Sequence, residues 1–448
     1  MPKRSFDVVV VGAGVGAAAA GALLQRRGNR VLFALEKAPP KEGPVGVPEI
    51  TVSLRGGVAQ AVGEELHLHN EFSRAWTSVG PFRLLFEGER MVGYDGAELA
   101  RAFGEQGTFA AENLAGLDAA FERAAAVFAI PPPLPPLGFF ERRSLKKLRL
   151  GLDIAERAYT LPARLHTGLD ALAPLASRLT GAPRTPLART VSAVPLLMNP
   201  GRLSGGEAGL ATLLRKRAVE LGAQVENVSA PVEQLVHSGS RVDGLLLSGG
   251  TEVGAAAVVV GLESAPLARL LAPLGRRVRG FLPSLSALRP TARECTWSLT
   301  LATRSVPLPL GQAALVQLDG ASVLIESAPG GDQTRLLVRG ISQLDGLGDP
   351  DLAAFMRVAA IALEEAVPFY RRHVIAEEPP RACGERYDPT ESALGIGGLR
   401  ELLPFKNAVL CGPQVFPGFG LTGELLAGVA AAAGIGPLTR KQQILAQG

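Results

Sequence analysis

Cysteine is scarce: Cys295, Cys383 and Cys411 are the only three in 448 residues. An odd, widely spaced set excludes the disulfide framework on which small secreted domains depend. No CxxC or HExxH spacing occurs, so two common zinc signatures are missing. Aromatic residues make up 5% of the chain, too few for the stacking platform that grips single-stranded nucleic acid. Charge of one sign is also wanting. The 46 basic side chains outnumber the 42 acidic ones by a net +4, an excess that by itself argues for no nucleic-acid partner. The most apolar window, Val8 to Leu24, is interrupted by Gly12, Gly14, Gly16 and Gly21 and is a poor membrane span. Met1 to Asp7 lacks the apolar stretch and cleavage site of a signal peptide. These absences together lead to the expectation of a cytoplasmic protein in a reducing compartment.

What is present is the composition of a folded chain, with 47% apolar and 20% charged residues. Its length exceeds what one hydrophobic core normally serves, which predicts two domains, interwoven in sequence. Val8 to Val11 is an unbroken β-branched run, suited to a parallel strand buried on both faces. The glycine-rich GAGVGA follows at residues 12–17, then helix formers from Ala17 to Arg27, a Gly28-Asn29 stop and a second strand pattern from Arg30 to Leu35. This is the start of a βαβ unit.

Residues 95–130 carry helical spacing, and the proline run from Ile130 to Pro136 reads as an extended connector. A mostly helical block is expected over 137–200. It contains Phe139-Phe140 and the basic residues Arg142, Arg143, Lys146, Lys147 and Arg149, either a solvated helix face or, across 139–149, a contact with an anionic membrane surface. A helix is expected from Ala208 to Leu221, then strands at Gln224 to Val228, Val232 to His237, Val242 to Leu247, Thr251 to Val253 and Ala257 to Val260. The chain closes with a strand from Ala408 to Cys411, a glycine loop over 412–423 and a helix from Glu424 to Ala433.

The chemistry-bearing motif is the first glycine loop. A dinucleotide diphosphate needs a backbone that it can approach closely and a helix amino-terminus pointing at it. In GAGVGA, Gly12 makes the tight turn, Gly14 admits the phosphate and Ala17 lets helix pack on strand, with Val15 and Gly16 counted in the same cofactor-binding loop. Glu36, 24 residues past Gly12, stands where an acidic side chain can bind the adenosine ribose, with Lys37 beside it. Other candidates are weaker. His67 and His69 would share a face only on a strand and have no third metal ligand nearby, so no metal is expected, and Ser204 and His237 lack a nucleophile-elbow context.

Residues 204–272, from Ser204-Gly-Gly-Glu through Gly244 to Leu271-Ala272, resemble the middle of the phytoene desaturase-like flavoproteins within the amine oxidase-like FAD superfamily. In that family the segment matching Ala230-Pro231-Val232 touches adenine through the backbone of the valine, here Val232. Residues 407–432, NAVLCGPQVFPGFGLTGELLAGVAAA, resemble the same family's closing motif, which covers the flavin with a glycine loop and a helix amino-terminus. Gly412, Gly418, Gly420 and Gly423 match it, and Gly412, Gly420, Leu421 and Thr422 are the cofactor-binding positions it implies.

The resemblance implies an α/β fold with FAD as cofactor. Its FAD-binding, Rossmann-like domain would be assembled from 1–60, 200–285 and 390–448, and its second, α+β substrate domain from 61–199 and 286–389. It implies oxidation of a hydrophobic, isoprenoid- or lipid-like substrate, with Tyr387, Phe416 and Phe419 lining the cavity and no catalytic residue assignable. Two departures count against the cofactor. Pro413 stands where the family has an aspartate on a ribityl hydroxyl, and proline offers neither a carboxylate nor an N–H. The Gly-Gly-Arg after the ribose-binding glutamate is missing, and neither Arg55-Gly56-Gly57 nor Lys41 replaces it. Glu36 also falls one residue late, which predicts a small bulge in its strand. The alternative is a non-catalytic scaffold that binds a protein partner on a flavoprotein architecture.

Overall fold

The computed structural model describes residues 4–36, 50–51, 57–80, 82–86, 92–93, 96–125, 139–140, 142–143, 146–147, 150, 161–180, 193–228, 232–247, 250–281, 285, 290–319, 321–345, 348–388 and 403–435. The chain opens with β1 (Ser5–Val11), α1 (Val15–Arg26) and β2 (Val31–Glu36). Next come β3 (Ile50–Thr51), α2 (Gly57–Leu66), α3 (His69–Ala75), β4 (Trp76–Ser78), β5 (Arg83–Phe86) and β6 (Val92–Gly93). Helices α4 (Gly96–Phe103), α5 (Glu105–Ala125) and α6 (Ala163–Ala176) follow, then β7 (Gly201–Leu203) and α7 (Gly206–Glu220). Strands β8 (Gln224–Val228), β9 (Gln234–Ser238), β10 (Arg241–Leu247) and β11 (Thr251–Val260) lead to α8 (Ser264–Leu271). The rest comprises β12 (Pro290–Ala302), β13 (Ala313–Leu318), β14 (Ala321–Gly330), β15 (Gln333–Gln343), α9 (Leu352–Ala366), β16 (Val374–Glu377), β17 (Arg381–Tyr387), β18 (Ala408–Leu410) and α10 (Gly420–Ile435).

The architecture is mixed α/β, with one largely parallel and one largely antiparallel sheet. The first runs β8-β2-β1-β11-β10-β9, with β18 also on β11. Val8 to Val11 pair in parallel with Val31 to Ala34 on one side and Ala257 to Val260 on the other. Their side chains are almost fully buried because α1 covers one face, the situation that selects an unbroken β-branched run. Strand β11 serves two purposes along its length. Its first half pairs antiparallel with β10, and Val258 to Val260 pair in parallel with β18.

Three expectations are corrected here. Thr251 to Val260 is one strand, not two, because the small residues Gly254 to Ala256 stay extended and Gly254 lies against Gly244 of β10. Strand β9 begins at Gln234 and leaves Val232 outside it. No bulge precedes Glu36: Leu32 to Glu36 pair residue for residue with Gln224 to Val228, so neighbour β8 holds the register.

The second sheet runs β16-β12-β15-β14-β13-β5-β6, with β17 also on β12. Helix α9 packs on it with Phe355, Ala359 and Leu363, and α6 contributes Leu165, Leu169 and Leu172 to a separate cluster with Leu315 and Leu324. A small antiparallel sheet of β3, β7 and β4 brings the chain back to α7, and the Trp76 ring lies where a side chain at Gly201 would be. The segment Pro417–Ile435 is apolar enough in composition to cross a membrane, yet 72% of its most apolar window is buried within the protein. It is a core helix packed against α1.

Candidate functional site at the first glycine loop

The GAGVGA loop joins β1 to α1, and its glycines meet different surroundings. Gly12 adopts φ +116°, and a Cβ there would overlap the carbonyl oxygen of Gly261 at the end of β11. A Cβ on Gly16 would overlap the carbonyl oxygen of Cys411 and come within 2.9 Å of that of Glu424. Ala17 packs against Gly261, where an added methyl would lie 2.7 Å from the Ala17 Cβ. These positions are small because backbone from β11, β18 and α10 converges on them. Gly14, the residue preceding α1, differs: the one atom near its absent Cβ is Oε2 of Glu424, at 3.6 Å. Val15 is buried as the first residue of α1. Arg215 of α7 reaches the loop and donates from Nη1 to the carbonyl oxygen of Ala13 at 2.6 Å.

The closing segment supplies the other wall. Gly412 lies beside Gln414, whose amide is fully buried and donates to the carbonyl oxygen of Leu262 at 2.8 Å. With the amide nitrogen so engaged, the Gln414 Oε1 is left without a partner. Phe416 and Phe419, both buried, flank a short 3₁₀ turn, and Gly420 at φ +53° packs on the carbonyl oxygen of Ala176 at the end of α6. Leu421 is buried and Thr422 half-buried in the first turn of α10. A Cβ on Gly428 would lie 2.6 Å from the carbonyl oxygen of Gly16, so α10 and α1 cross at backbone contact.

The sequence motifs do not announce the third component, a set of buried charges. Arg178, just past α6, pairs with Glu207 of α7 and donates from Nη2 to Oε1 of Glu424 at 2.8 Å. It lies beside Gly384, within reach of Arg386. Arg386 pairs in turn with Glu294, which also accepts from Arg339 at 2.6 Å, and Arg339 donates to Glu326 at 2.8 Å. Two groups of buried ion pairs therefore adjoin at Gly384, one around Arg178 near the glycine loop and one around Glu294 in the second sheet.

Burial and like charges set the titration of these groups. Burial, reinforced by the neighbouring Glu207, pushes the Glu424 carboxyl up to about 7, although Arg178 opposes it. Burial alone would lower Arg178, but Glu207, Glu424 and Glu294 hold its guanidinium well above the ordinary value. Glu294 is fully buried, yet Arg339 and Arg386 outweigh that and hold it down to about 2. Burial, with Glu385 adding to it, raises the Tyr387 phenol well above its usual range, and its hydroxyl donates to Oε2 of Glu385 at 2.9 Å.

The structure brings Gly12, Gly14 and Gly16 against Gly261, Cys411 and Glu424, with Val15 and Ala17 in the first turn of α1, while Gly412 lies beside Leu262 and Gly420, Leu421 and Thr422 form the first turn of α10. Val232 is half-buried against the same core. Glu36 ends β2 with its backbone paired to Val228. Lys37, Lys41, Arg55, Gly56, Ala230 and Pro231 lie outside the described residues. Tyr387 is fully buried, pairing with Leu179 in the core of the first sheet. His67 sits in the turn before α3, not on a strand, with Nε2 2.8 Å from Arg26. Among the described residues no group of three metal-ligating side chains occurs. Arg178 had no sequence signal. Glu424 had one, as the single charged residue in the otherwise apolar α10.

The residues can be tested against a dinucleotide. Gly14 provides the approach that a diphosphate needs, at the amino-terminus of a helix with no acidic residue in its first turn. The Gln414 Oε1, a buried acceptor without a partner, suits a ligand hydroxyl. Gly14 is the loop position that faces no backbone, and Arg178 supplies a cation on the Glu424 carboxylate beside it. Glu424 brings a carboxylate to the same place.

No family model and no curated protein matches the sequence. Solved structures do match the fold. An oxidoreductase from Methanosarcina mazei aligns over 95% of this chain and 99% of its own, at 14% identity and a TM-score of 0.64. A protein from Pyrococcus furiosus aligns over 96% and 98%, at 12% identity and 0.58. A double mutant of putrescine oxidase, redesigned in its cofactor binding, aligns over 96% and 99%, at 16% identity and 0.57. At these identities the likeness shows the fold alone.

Proposed function

We propose that the protein is an FAD-dependent oxidoreductase whose dinucleotide diphosphate lies over residues 12–17. The observation that carries this reading is Gly14. Among the loop glycines it alone faces no backbone, and it opens a helix in a junction otherwise closed by Gly261, Cys411 and Gly428. In this reading residues 1–60, 200–285 and 390–448 form the cofactor domain, consistent with β1, β11 and β18 sharing a sheet. Residues 61–199 and 286–389 form the substrate domain. Glu36, Lys37 and Val232 hold the adenosine end. Gly412, Gly420, Leu421 and Thr422 cover the flavin end, and Phe416 and Phe419 exclude water. Bound there, the flavin would supply two-electron oxidation by hydride acceptance.

The substrate class proposed is hydrophobic, isoprenoid- or lipid-like. Exposed Phe139 and Phe140, followed by exposed Arg142, Arg143, Lys146 and Lys147, suit peripheral contact with an anionic lipid surface. The visible spectrum of freshly purified protein, before and after incubation with FAD and gel filtration, tests the reading. Retained flavin absorbance near 450 nm, roughly the free cofactor's own band, is the expected outcome. A second reading, a scaffold that binds a protein partner without cofactor, is favoured by Pro413 and by the carboxylate of Glu424 at Gly14. Complete absence of retained flavin would leave that reading standing.

A further inference from the structure

The position in front of Gly14 is where the missing Cβ of a dinucleotide loop makes room for phosphate. Here Oε2 of Glu424 lies 3.6 Å from that Cβ position, and Oε1 of the same carboxylate accepts from Arg178 at 2.8 Å. Glu424 is 5% exposed and Arg178 9%, so neither interaction is a solvated surface pair. The arrangement contains both partners of a phosphate site: a glycine-lined helix amino-terminus, and a guanidinium able to take two oxygens of an oxyanion. It contains an anion as well. Charges facing Glu424 from the surrounding elements are Arg178 after α6, Glu207 of α7 and Glu263 before α8.

We propose that Glu424 is an internal stand-in for the cofactor's diphosphate and that Arg178 is the diphosphate-binding cation held in place by it. Dinucleotide binding then exchanges one anion for another on Arg178: the Glu424 carboxylate leaves the guanidinium and a phosphate oxygen replaces it. This deepens the flavoprotein reading and rests on it. The exchange explains how the chain does without the Gly-Gly-Arg after Glu36, since Arg178 comes to the carboxylate in front of Gly14 from a different segment. It also makes Glu424 the residue that sets affinity, because an ionised carboxylate in front of Gly14 repels the entering diphosphate while a neutral side chain does not.

The test is titration of FAD, and separately of ADP-ribose, into the full-length protein and the variants Glu424→Gln, Glu424→Ala and Glu424→Gln/Arg178→Met, followed by flavin fluorescence and calorimetry. Both Glu424 variants are expected to bind each ligand at least tenfold more tightly than the wild type, and the double variant to lose that gain. ADP-ribose reports the diphosphate without the flavin. Equal FAD affinity in wild type and Glu424 variants overturns the stand-in while leaving the flavoprotein reading intact. Binding of neither ligand to any folded variant overturns both. Should the variants not fold, the wild type decides: its affinity is expected to fall severalfold between pH 6 and pH 8.5 as Glu424 ionises. A flat profile, or no binding at pH 6, sinks the proposal.

Discussion

Gly12 and Gly14 stand two residues apart and carry opposite expectations. At Gly12, φ +116° and the carbonyl of Gly261 leave no room for a side chain, so Gly12→Ala should lower stability by about 2 kcal/mol or more. Gly14 has an ordinary φ of −68° and open space except for Glu424, so Gly14→Ala should fold with little change and lose affinity for dinucleotide alone. Thermal melts of the two variants check this, and equal destabilisation would contradict the geometry. Glu424 yields a prediction of defined sign. Its folded-state pKa, about 7, lies above the unfolded carboxylate value of roughly 4.3, so folding favours the protonated form. The contribution is fully present below the unfolded value and is lost as pH rises through about 7. Glu424→Gln, which mimics the protonated state, should therefore match the wild type near pH 4 and exceed it in melting temperature near pH 8. A variant less stable than the wild type at both pH values would show that the ionised Arg178 pair is net stabilising.

At the scale of elements, β12 is the strand through which the second sheet holds its buried charges. It pairs with β15 along Ala292 to Ala302 and with β17 along Pro290 to Thr296, which places Glu294 between Arg339 and Arg386. Two guanidiniums share one carboxylate with almost no solvent, so Glu294→Ala takes the paired carboxylate from Arg386 and leaves Arg339 with Glu326 alone. Loss of a buried partner of this kind costs about 3 to 5 kcal/mol. Urea unfolding of Glu294→Ala should show that loss, and a change under 1 kcal/mol would mean that water or rearrangement compensates. The two sheets also differ in how far they can be read from sequence. Val8 to Val11, the glycine loop, α1 and β2 are contiguous, and each signal is local: β-branched run, glycines, helix formers. The register at Glu36 was not legible, because the neighbour that holds it, β8, is nearly two hundred residues away in the chain. The buried ion pairs were legible still less. Arg178 and Glu424 are separated by 246 residues, and nothing around Arg178 forms a pattern until the fold places it against α10. Glu424 was visible as a lone charge in an apolar helix, but its partners were not.

The whole molecule is tied together at Arg178. Its backbone N–H donates to the carbonyl of Pro417 at 2.7 Å, and its carbonyl accepts from Tyr387 at 2.8 Å. Its side chain joins α7 and α10, on the first sheet, to the Gly384–Arg386 stretch of β17 in the second. Leu179 and Tyr387 enter the core of the first sheet although β17 belongs to the other. Such a junction couples the two halves, and the wild type should unfold in one calorimetric transition, with van't Hoff and calorimetric enthalpies in agreement. Arg178→Met keeps the volume and the backbone bonds but strands Glu207 and Glu424 beside one another without a cation. It should lower the melting temperature and separate the transition into two, the first sheet melting before the second, since the Glu294 cluster survives. On the flavoprotein reading proposed above, FAD labels the halves. A ligand at 100 times its Kd stabilises the state that binds it by about 2.7 kcal/mol. In the wild type, FAD should move the single transition as a whole, whereas in Arg178→Met any residual effect of FAD should fall on the earlier transition alone. One unsplit transition in Arg178→Met would show that the backbone contacts at Pro417 and Tyr387 suffice to couple the sheets, and that the charges at this junction serve the site and not the assembly.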